Sequence, residues 1–462
     1  MASLGIIVLA AGLGKRMRSD LPKVLHYVGG KPLLSHVLST ARGLNPVRVT
    51  VVVGHGADQV EQTCGEDGVS WIFQDQQLGT GHAVQCTEEA WRDFSGDLLI
   101  LSGDVPLISR ETLTRILRHH RDKKASVTFL TALMERPSGY GKIVRDGQGN
   151  VTKVVEERDA TAAEKTILEV NAGVYAVCAD FLYAALKSVG NCNDQNEYYL
   201  PDIINVALQN GAAVETVCVE QAREVMGINT REELAAMEQN FREKINQRWM
   251  AAGVTFKDPQ TAYIDEEAVI GKDTVIGPNT HLLGRTVIGQ RCRIDGNAYL
   301  TDARVGDEVH VKFNVVITAS ELEDNVEIGP FSQLRPGTVL KRGVHVGNFV
   351  EVKNSVIGEG TKASHLTYIG DSTIGRETNV GAGTITCNYD GFTKHRTKIG
   401  DRVQIGSDTQ LVAPVTVGDD AYIGAGTTIT EDIPAGALAL SRTGQKIIPG
   451  WVERFRERHK KK

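Results

Sequence analysis

From Ile264 onward an aliphatic side chain returns at every sixth residue, a period that neither an α-helix nor an ordinary strand can satisfy. The series runs Ile264, Ile270, Ile276, Leu282, Ile288, Ile294 and Leu300, slips by one residue, and resumes at Val305, Val311 and Ile317. It continues at Leu322, Ile328, Leu334, Leu340, Val346 and Val352, and closes with Ile399, Ile405, Leu411, Val417, Ile423 and Ile429. A helix repeats at about 3.6 residues and a strand alternates at about two. A six-residue period fits short strands separated by turns, each pointing one aliphatic into a narrow core. Three such hexapeptides close one triangular coil. The pattern predicts a parallel β-helix over 254–437. A slender prism has a thin core, which favours lateral association of copies.

The first half has another period. Apolar runs at 6–9, 49–53, 98–101 and 214–219 read as buried strands, and helical patterns lie between them. One is 110–124, with Leu113, Ile116 and Leu117 on a common face. Alternating strands and helices predict an α/β domain over 1–229, with a mostly parallel sheet covered on both faces. Ligands of such sheets sit beyond the carboxyl ends of the strands. Thr230 and Glu233 form a capping-box pattern, and Leu234, Met237, Phe241, Ile245 and Trp249 follow at helical spacing. These residues predict a helical connector over 230–253, its stripe packed against a domain. The segment 438–462 ends in a basic stretch that reads as a solvated tail.

Composition removes several classes of function. The chain has 462 residues, too many for one ordinary domain, and a formal charge of −6, which argues against phosphate tracking on nucleic acid. No apolar run is long enough to span a membrane, and the first one lacks a basic leader. The seven cysteines include no C-x-x-C pair, so they read as reduced cytosolic thiols.

Three motifs follow strand ends. The first is Leu9-Ala10-Ala11-Gly12-Leu13-Gly14-Lys15-Arg16-Met17, with Pro22-Lys23 beyond it. Its glycines let backbone approach a phosphate, and Lys15, Arg16 and Lys23 supply charge. The third glycine of a dinucleotide fingerprint is absent, because Met17 stands there. The second is Gln74 with Gln77-Leu78-Gly79-Thr80-Gly81-His82; the Gln74 amide either reads a base edge or is an exposed strand-end residue. The third is Ser102-Gly103-Asp104, where Asp104 either caps a turn or holds a metal. The hexapeptide half has polar insertions: Arg335 after Leu334, Lys353 after Val352, the string from Lys362 to Tyr368, and a departure from register over 387–397. A loop ejected from a solenoid is a usual place for function.

These motifs resemble those of sugar-nucleotide pyrophosphorylases, and the whole chain resembles the bifunctional GlmU family. That family couples N-acetylglucosamine-1-phosphate uridyltransferase to glucosamine-1-phosphate N-acetyltransferase. The resemblance implies a Rossmann-like nucleotidyltransferase domain followed by a left-handed β-helix, although general crossover chirality alone would favour the right hand. It further implies a cytoplasmic homotrimer that uses Mg²⁺, UTP and acetyl-CoA.

Residue by residue, the resemblance implies nucleotide and sugar contacts at Leu9, Ala10, Ala11, Gly12, Arg16, Lys23, Gln74, Gly79, Thr80, Ser102, Gly103, Asp104, Gly141, Glu156, Asn171 and Asn229, with Asp104 and Asn229 on the metal. It assigns His365 as general base of acetyl transfer. Arg335, Lys353, Tyr368 and Asn379 match sugar-phosphate positions. Ala382, Asn388, Tyr389, Ser407, Ala425 and Arg442 match acetyl-CoA positions. Two competing readings remain beside it, a pyrophosphorylase whose β-helix is only structural and a non-enzymatic scaffold.

Overall fold

The structure, a computed structural model, describes residues 3–135, 137–441 and 444–459. The chain divides into two units, Met1–Phe241 and Arg242–Lys462.

In the first unit a nine-stranded sheet runs in the order 214–218, 127–133, 169–178, 97–102, 4–10, 48–53, 69–73. The hairpin of Lys142–Arg145 and Val151–Val155 attaches to 169–178. The strand Leu4–Ala10 is apolar almost throughout because it is buried on both sides. It pairs in parallel with Arg48–Val53 on one side and Asp97–Ser102 on the other. Chain order reverses about this strand, so a crevice opens beyond its carboxyl end, as in other doubly wound sheets. Glu169–Cys178 runs antiparallel to both of its neighbours. The helices Leu33–Arg42 and Arg110–Lys123 pack on one face through Leu34, Val37, Leu113 and Ile116. Ala179–Leu186 and Asp202–Gln209 cover the other through Leu182 and Ile203.

The helix Arg231–Ala251 begins with the capping box that the sequence predicts. Glu233 N donates to Thr230 Oγ1 at 3.2 Å, and Thr230 N donates to Glu233 Oε2 at 3.0 Å. Its apolar stripe serves two cores rather than one. Met237 and Phe241 join Met17, Val28 and Leu33 in the first unit, whereas Ile245 belongs to the core of the second, with Trp249 against it.

The second unit is a parallel β-helix. Its three core columns begin Ile264-Leu282-Leu300-Ile317, Ile270-Ile288-Val305-Leu322 and Ile276-Ile294-Val311-Ile328, each joined by parallel register and buried. Tyr263 pairs with His281 and Tyr299 with Val316, so a coil takes 18 or 17 residues. The single slip expected from the sequence is therefore one of several. The same corner loses a residue between Leu300 and Val305, Ile317 and Leu322, Val352 and Ile357, and Ile369 and Ile374. The core also continues through Ile357, Ala363, Ile369, Ile374 and Val380, a stretch that the six-residue series skips.

Corners are made by residues in the left-handed region. At one corner Asn279, Asn297 and Asn314 have φ of 52°, 47° and 58°. Asparagine tolerates that conformation. Phe331, Phe349 and Leu366 continue the same corner at 55°, 56° and 40°, where large side chains are strained. Within the C-terminal segment that reads as a solvated tail, Trp451–His459 forms a helix with no buried residue.

Candidate active sites

The crevice of the first unit holds a cleft of about 850 Å³. Leu9, Ala11, Gly12, Arg16, Lys23, Gln74, Gly79, Thr80, Ser102, Asp104, Glu156 and Asn229 line it. Asn171 lines an adjoining recess of about 190 Å³ that shares Arg16, Ser102, Asp104 and Asn229. Ala10 is buried in the sheet, and Gly103 ties two strand ends together by donating to Leu9 O at 2.9 Å.

The glycine loop leaves the strand Leu4–Ala10. Space beside Gly12 is open, and Gly14 has φ of 58°, with Lys23 so close that a Cβ at 14 would lie 2.8 Å from the Lys23 Cβ. That packing lays Lys23 across the cleft. Its Nζ donates to Asp104 Oδ2 at 2.5 Å and to Asn229 Oδ1 at 3.2 Å. Two oxygens thus converge on one cation, a donor set that suits a hard divalent ion. The Asn229 backbone is itself fixed, since its N donates to Glu233 Oε2 at 2.6 Å.

Gln74 follows the strand Val69–Phe73 and is 3% exposed. Its Nε2 donates to Gly79 O at 3.1 Å and lies 3.0 Å from His82 Nδ1, so the amide is held rigidly against the Gly79–Thr80 turn. Gly79 has φ of 106°, and a Cβ there would lie 2.6 Å from Tyr198 O. Thr80 Oγ1 accepts from Leu200 N at 3.0 Å.

Opposite this wall lie Gly141, Glu156 and Asn171. A Cβ on Gly141 would sit 3.3 Å from Glu156 Oε1. Burial, then the like charges of Asp202 and Asp159, raise Glu156 from the ordinary carboxylate range to about 7. Asn171 N donates to Gly141 O at 2.8 Å, and its Nδ2 donates to Tyr175 OH at 2.6 Å. Glu157, Gln195 and Glu197 line the cleft without having been singled out from the sequence as contacts.

In the second unit the register aligns Val346, Ala363, Val380, Ile405 and Ile423 on successive coils. Two residues beyond each stand Asn348, His365, Ala382, Ser407 and Ala425, so His365 and three of the acetyl-CoA candidates form one column. His365 is exposed, and Asn348 Oδ1 lies 2.9 Å from its Nδ1. In the tautomer where Nδ1–H donates to that oxygen, Nε2 keeps its lone pair.

A second column stands at the other end of the strands His345–Lys353 and Lys362–Gly370. Leu334 pairs with Val352, and Lys353 pairs with Gly370, which aligns Arg335, Lys353 and Gly370. Lys394, from the loop after Asn388, packs against Lys353. That contact, then burial, lowers the Lys353 pKa, and Arg335 adds to the effect. Asn388 is buried and donates to Asp371 Oδ2 at 2.5 Å, while Asn354 donates to Asp371 Oδ1 at 2.6 Å. Tyr368 folds back over Gly370, where any Cβ would collide with its hydroxyl. Tyr389 is 61% exposed and bridges Lys394 across the loop. Asn379 opens the short strand before Ala382. Arg442 lies outside the described residues.

Comparison with known proteins agrees with both units. Residues 6–188 match the MobA-like NTP transferase domain. Residues 247–352 match the LbH domain of the EIF2B epsilon subunit, and 396–431 match the bacterial transferase hexapeptide family (six repeats). A Pelobacter propionicus protein named "Bifunctional protein GlmU" is 49% identical over 99% of this chain and 100% of its own length. Relatives of the same name from Geotalea uraniireducens and Trichlorobacter lovleyi are 48% and 46% identical over 98% and 99% of the chain and 99% and 100% of their own lengths. The chain belongs to the GlmU family.

GlmU membership accounts for the union of a nucleotidyltransferase sheet with a left-handed hexapeptide β-helix in one chain. It also accounts for two separate polar sites, one in each unit. Among the described residues no helix is long and apolar enough to cross a membrane, and all seven cysteines are free thiols.

Proposed function

We propose that the β-helix unit acetylates glucosamine 1-phosphate with acetyl-CoA, and that the sheet unit then transfers UMP from UTP to the N-acetylglucosamine 1-phosphate so formed, releasing pyrophosphate. The observation that carries this reading is the GlmU likeness running through both units, over 99% of the chain.

In the first unit a phosphate oxygen of the sugar phosphate attacks the α-phosphorus of UTP, and pyrophosphate leaves. A phosphate monoester is already nucleophilic at neutral pH, so the work is alignment and charge neutralisation. Arg16, Lys15 and Lys23 supply positive charge beside the open backbone at Gly12. Gln74 holds the turn that would face the base, and Glu156, Asn171 and Gly141 form the sugar wall. Asp104 and Asn229 would hold Mg²⁺, which when bound draws charge from the phosphates. The Lys23 ammonium already bridging them supports that assignment.

In the second unit the amine of glucosamine 1-phosphate attacks the thioester carbonyl. His365 Nε2 takes the amine proton, and coenzyme A leaves as its thiolate. The small side chains of Ala382, Ser407 and Ala425 leave a flat wall for the coenzyme. Arg335, Lys353 and Lys394 form a cationic seat for the sugar phosphate.

His365 and the Lys353–Gly370 column stand five residues apart, on either side of the left-handed corner at Leu366. One chain therefore presents the base and the phosphate seat on different faces of the coil. This separation supports a homotrimer in which each site is completed by a neighbouring copy. Free thiols at every cysteine support a reducing, cytoplasmic setting.

The test supplies glucosamine 1-phosphate, acetyl-CoA, UTP and Mg²⁺ and follows thiol and pyrophosphate separately. Both products should form, pyrophosphate only after acetylation. His365→Ala should lower thiol release by about 10²–10⁴-fold and leave pyrophosphate release from N-acetylglucosamine 1-phosphate intact. Asp104→Ala should do the reverse. Thiol release unchanged by His365→Ala would leave the β-helix as a scaffold.

A further inference from the structure

Lys142 is a lysine with no exposed side-chain surface, in a unit whose cleft cations reach solvent. Its Nζ donates to Pro137 O at 2.5 Å, Tyr140 O at 2.8 Å and Glu157 Oε2 at 2.5 Å. An ammonium has three donors, and all three are used. None of these partners belongs to a secondary-structure ladder. Two are carbonyls of the loop before Gly141, and the third is the side chain next to Glu156.

The backbone of Lys142 does complementary work. It opens the strand Lys142–Arg145 and pairs with Val155 on one side and Val170 on the other. Val155 immediately precedes Glu156, and Val170 immediately precedes Asn171. Gly141, Glu156 and Asn171 therefore each stand one residue from Lys142 itself or from a ladder partner of Lys142. These three residues come from separate stretches of chain and form the wall assigned to the sugar. Lys142 does not line the cleft.

We propose that Lys142, through its ion pair with Glu157 and its two loop carbonyls, is the positioning residue that sets the sugar-recognition wall of the uridyl-transfer site. The proposal rests on the assignment of that wall to the sugar phosphate. Among the described residues the hydrogen bonds of the Lys142 ammonium all fall on Glu157 and the loop before Gly141, and none reaches the Gly12, Lys23 and Gln74 side of the cleft. Its charge also faces Glu156, together with Asp202, Asp159 and Glu157, and is the one neighbour among these that favours the ionised carboxylate.

The experiment measures steady-state uridyl transfer by Lys142→Met, Lys142→Arg and Glu157→Gln in the full chain, varying each substrate in turn. Lys142→Met should raise KM for N-acetylglucosamine 1-phosphate by about tenfold or more, with KM for UTP changed less than about threefold. Glu157→Gln, which keeps the side-chain size, should shift the same constant in the same direction. Lys142→Arg should recover most of the loss. The acid limb of the sugar KM profile should move to higher pH in Lys142→Met, because Glu156 loses a neighbouring positive charge. Acetyl transfer by the same preparations reports that the chain is folded and should not change.

Equal loss for both substrates, or no rescue by arginine, would overturn the proposal while leaving the uridyltransferase reading standing. A wild-type protein that forms no pyrophosphate would instead overturn that reading. Hydrogen exchange then decides the positioning role. Faster exchange of the 138–141 and 156–157 amides in Lys142→Met than in Lys142→Arg supports it, and equal exchange overturns it.

Discussion

Glu156 gives the first unit a pH dependence of its own. Burial first, and then Asp202 and Asp159, raise this carboxyl from 4.5 to about 7. Between those values the folded protein keeps a proton that the unfolded chain releases. Stability therefore falls as pH rises from about 4.5 to about 7 and stays lower above that window, with no penalty below it. Glu156→Gln removes the penalty. The variant should be more stable than the parent at pH 8 by at most about 3 kcal/mol, and the two should converge at pH 4. Denaturant midpoints across the range measure it; parallel curves would mean that Glu156 is not proton-linked to folding. Where the ionised carboxylate is the form that meets the sugar, the raised value also ties substrate affinity to pH near neutrality.

At the scale of the element, strands are shaped by what their corners must admit. Lys362–Gly370 ends on a glycine because Tyr368 and Asn388 occupy the place of a side chain; a Cβ at 370 would lie 2.8 Å from Asn388 Nδ2. Gly370→Ala should displace both residues, cost the coil about 1–3 kcal/mol and lower thiol release by about tenfold, with uridyl transfer unchanged. Full thiol release would show that neither residue needs that placement. Nothing in a local sequence window marks Gly370 as special, and this marks the boundary of what the chain reveals by inspection. Contiguous motifs were legible because a loop that follows a buried strand must turn at its end, as Gly12 and Asp104 do. The β-helix was legible because its columns take large aliphatics. The stretch from Ile357 to Val380 was missed because a corner drops a residue there and Ala363 fills a column position. The column of His365, Ala382, Ser407 and Ala425 stays hidden until coil length is known. Its members are 17, 25 and 18 residues apart, and the 25 includes the ejected loop. Lys142 stays hidden for a related reason, since its partners come from segments that only the folded sheet brings together.

For the whole molecule, a solenoid that contacts only itself along its axis has every reason to keep its corners polar. The Asn279, Asn297 and Asn314 corner does so, and then Phe331, Phe349 and Leu366 break the rule at 46%, 56% and 63% exposure. Phe331 and Phe349 stack with centroids 5.4 Å apart, and Phe313 meets Phe331 edge-on at 5.5 Å. The strip adjoins the His365 column, since Phe349 and Leu366 directly follow Asn348 and His365. Large apolar residues held in left-handed backbone and left in water are destabilising twice over in an isolated chain, which supports the proposed homotrimer as what covers them. The double variant Phe331→Asn and Phe349→Asn separates these effects, because asparagine suits the conformation that phenylalanine strains. The variant coil should fold at least as well as the parent, yet light scattering should find it dissociated at concentrations where the parent forms the proposed trimer. Thiol release should fall with dissociation, because the base and the phosphate seat of one chain lie on different faces of the coil, while pyrophosphate release should persist in the monomer. A variant that stays trimeric and fully active would place the association surface elsewhere on the prism.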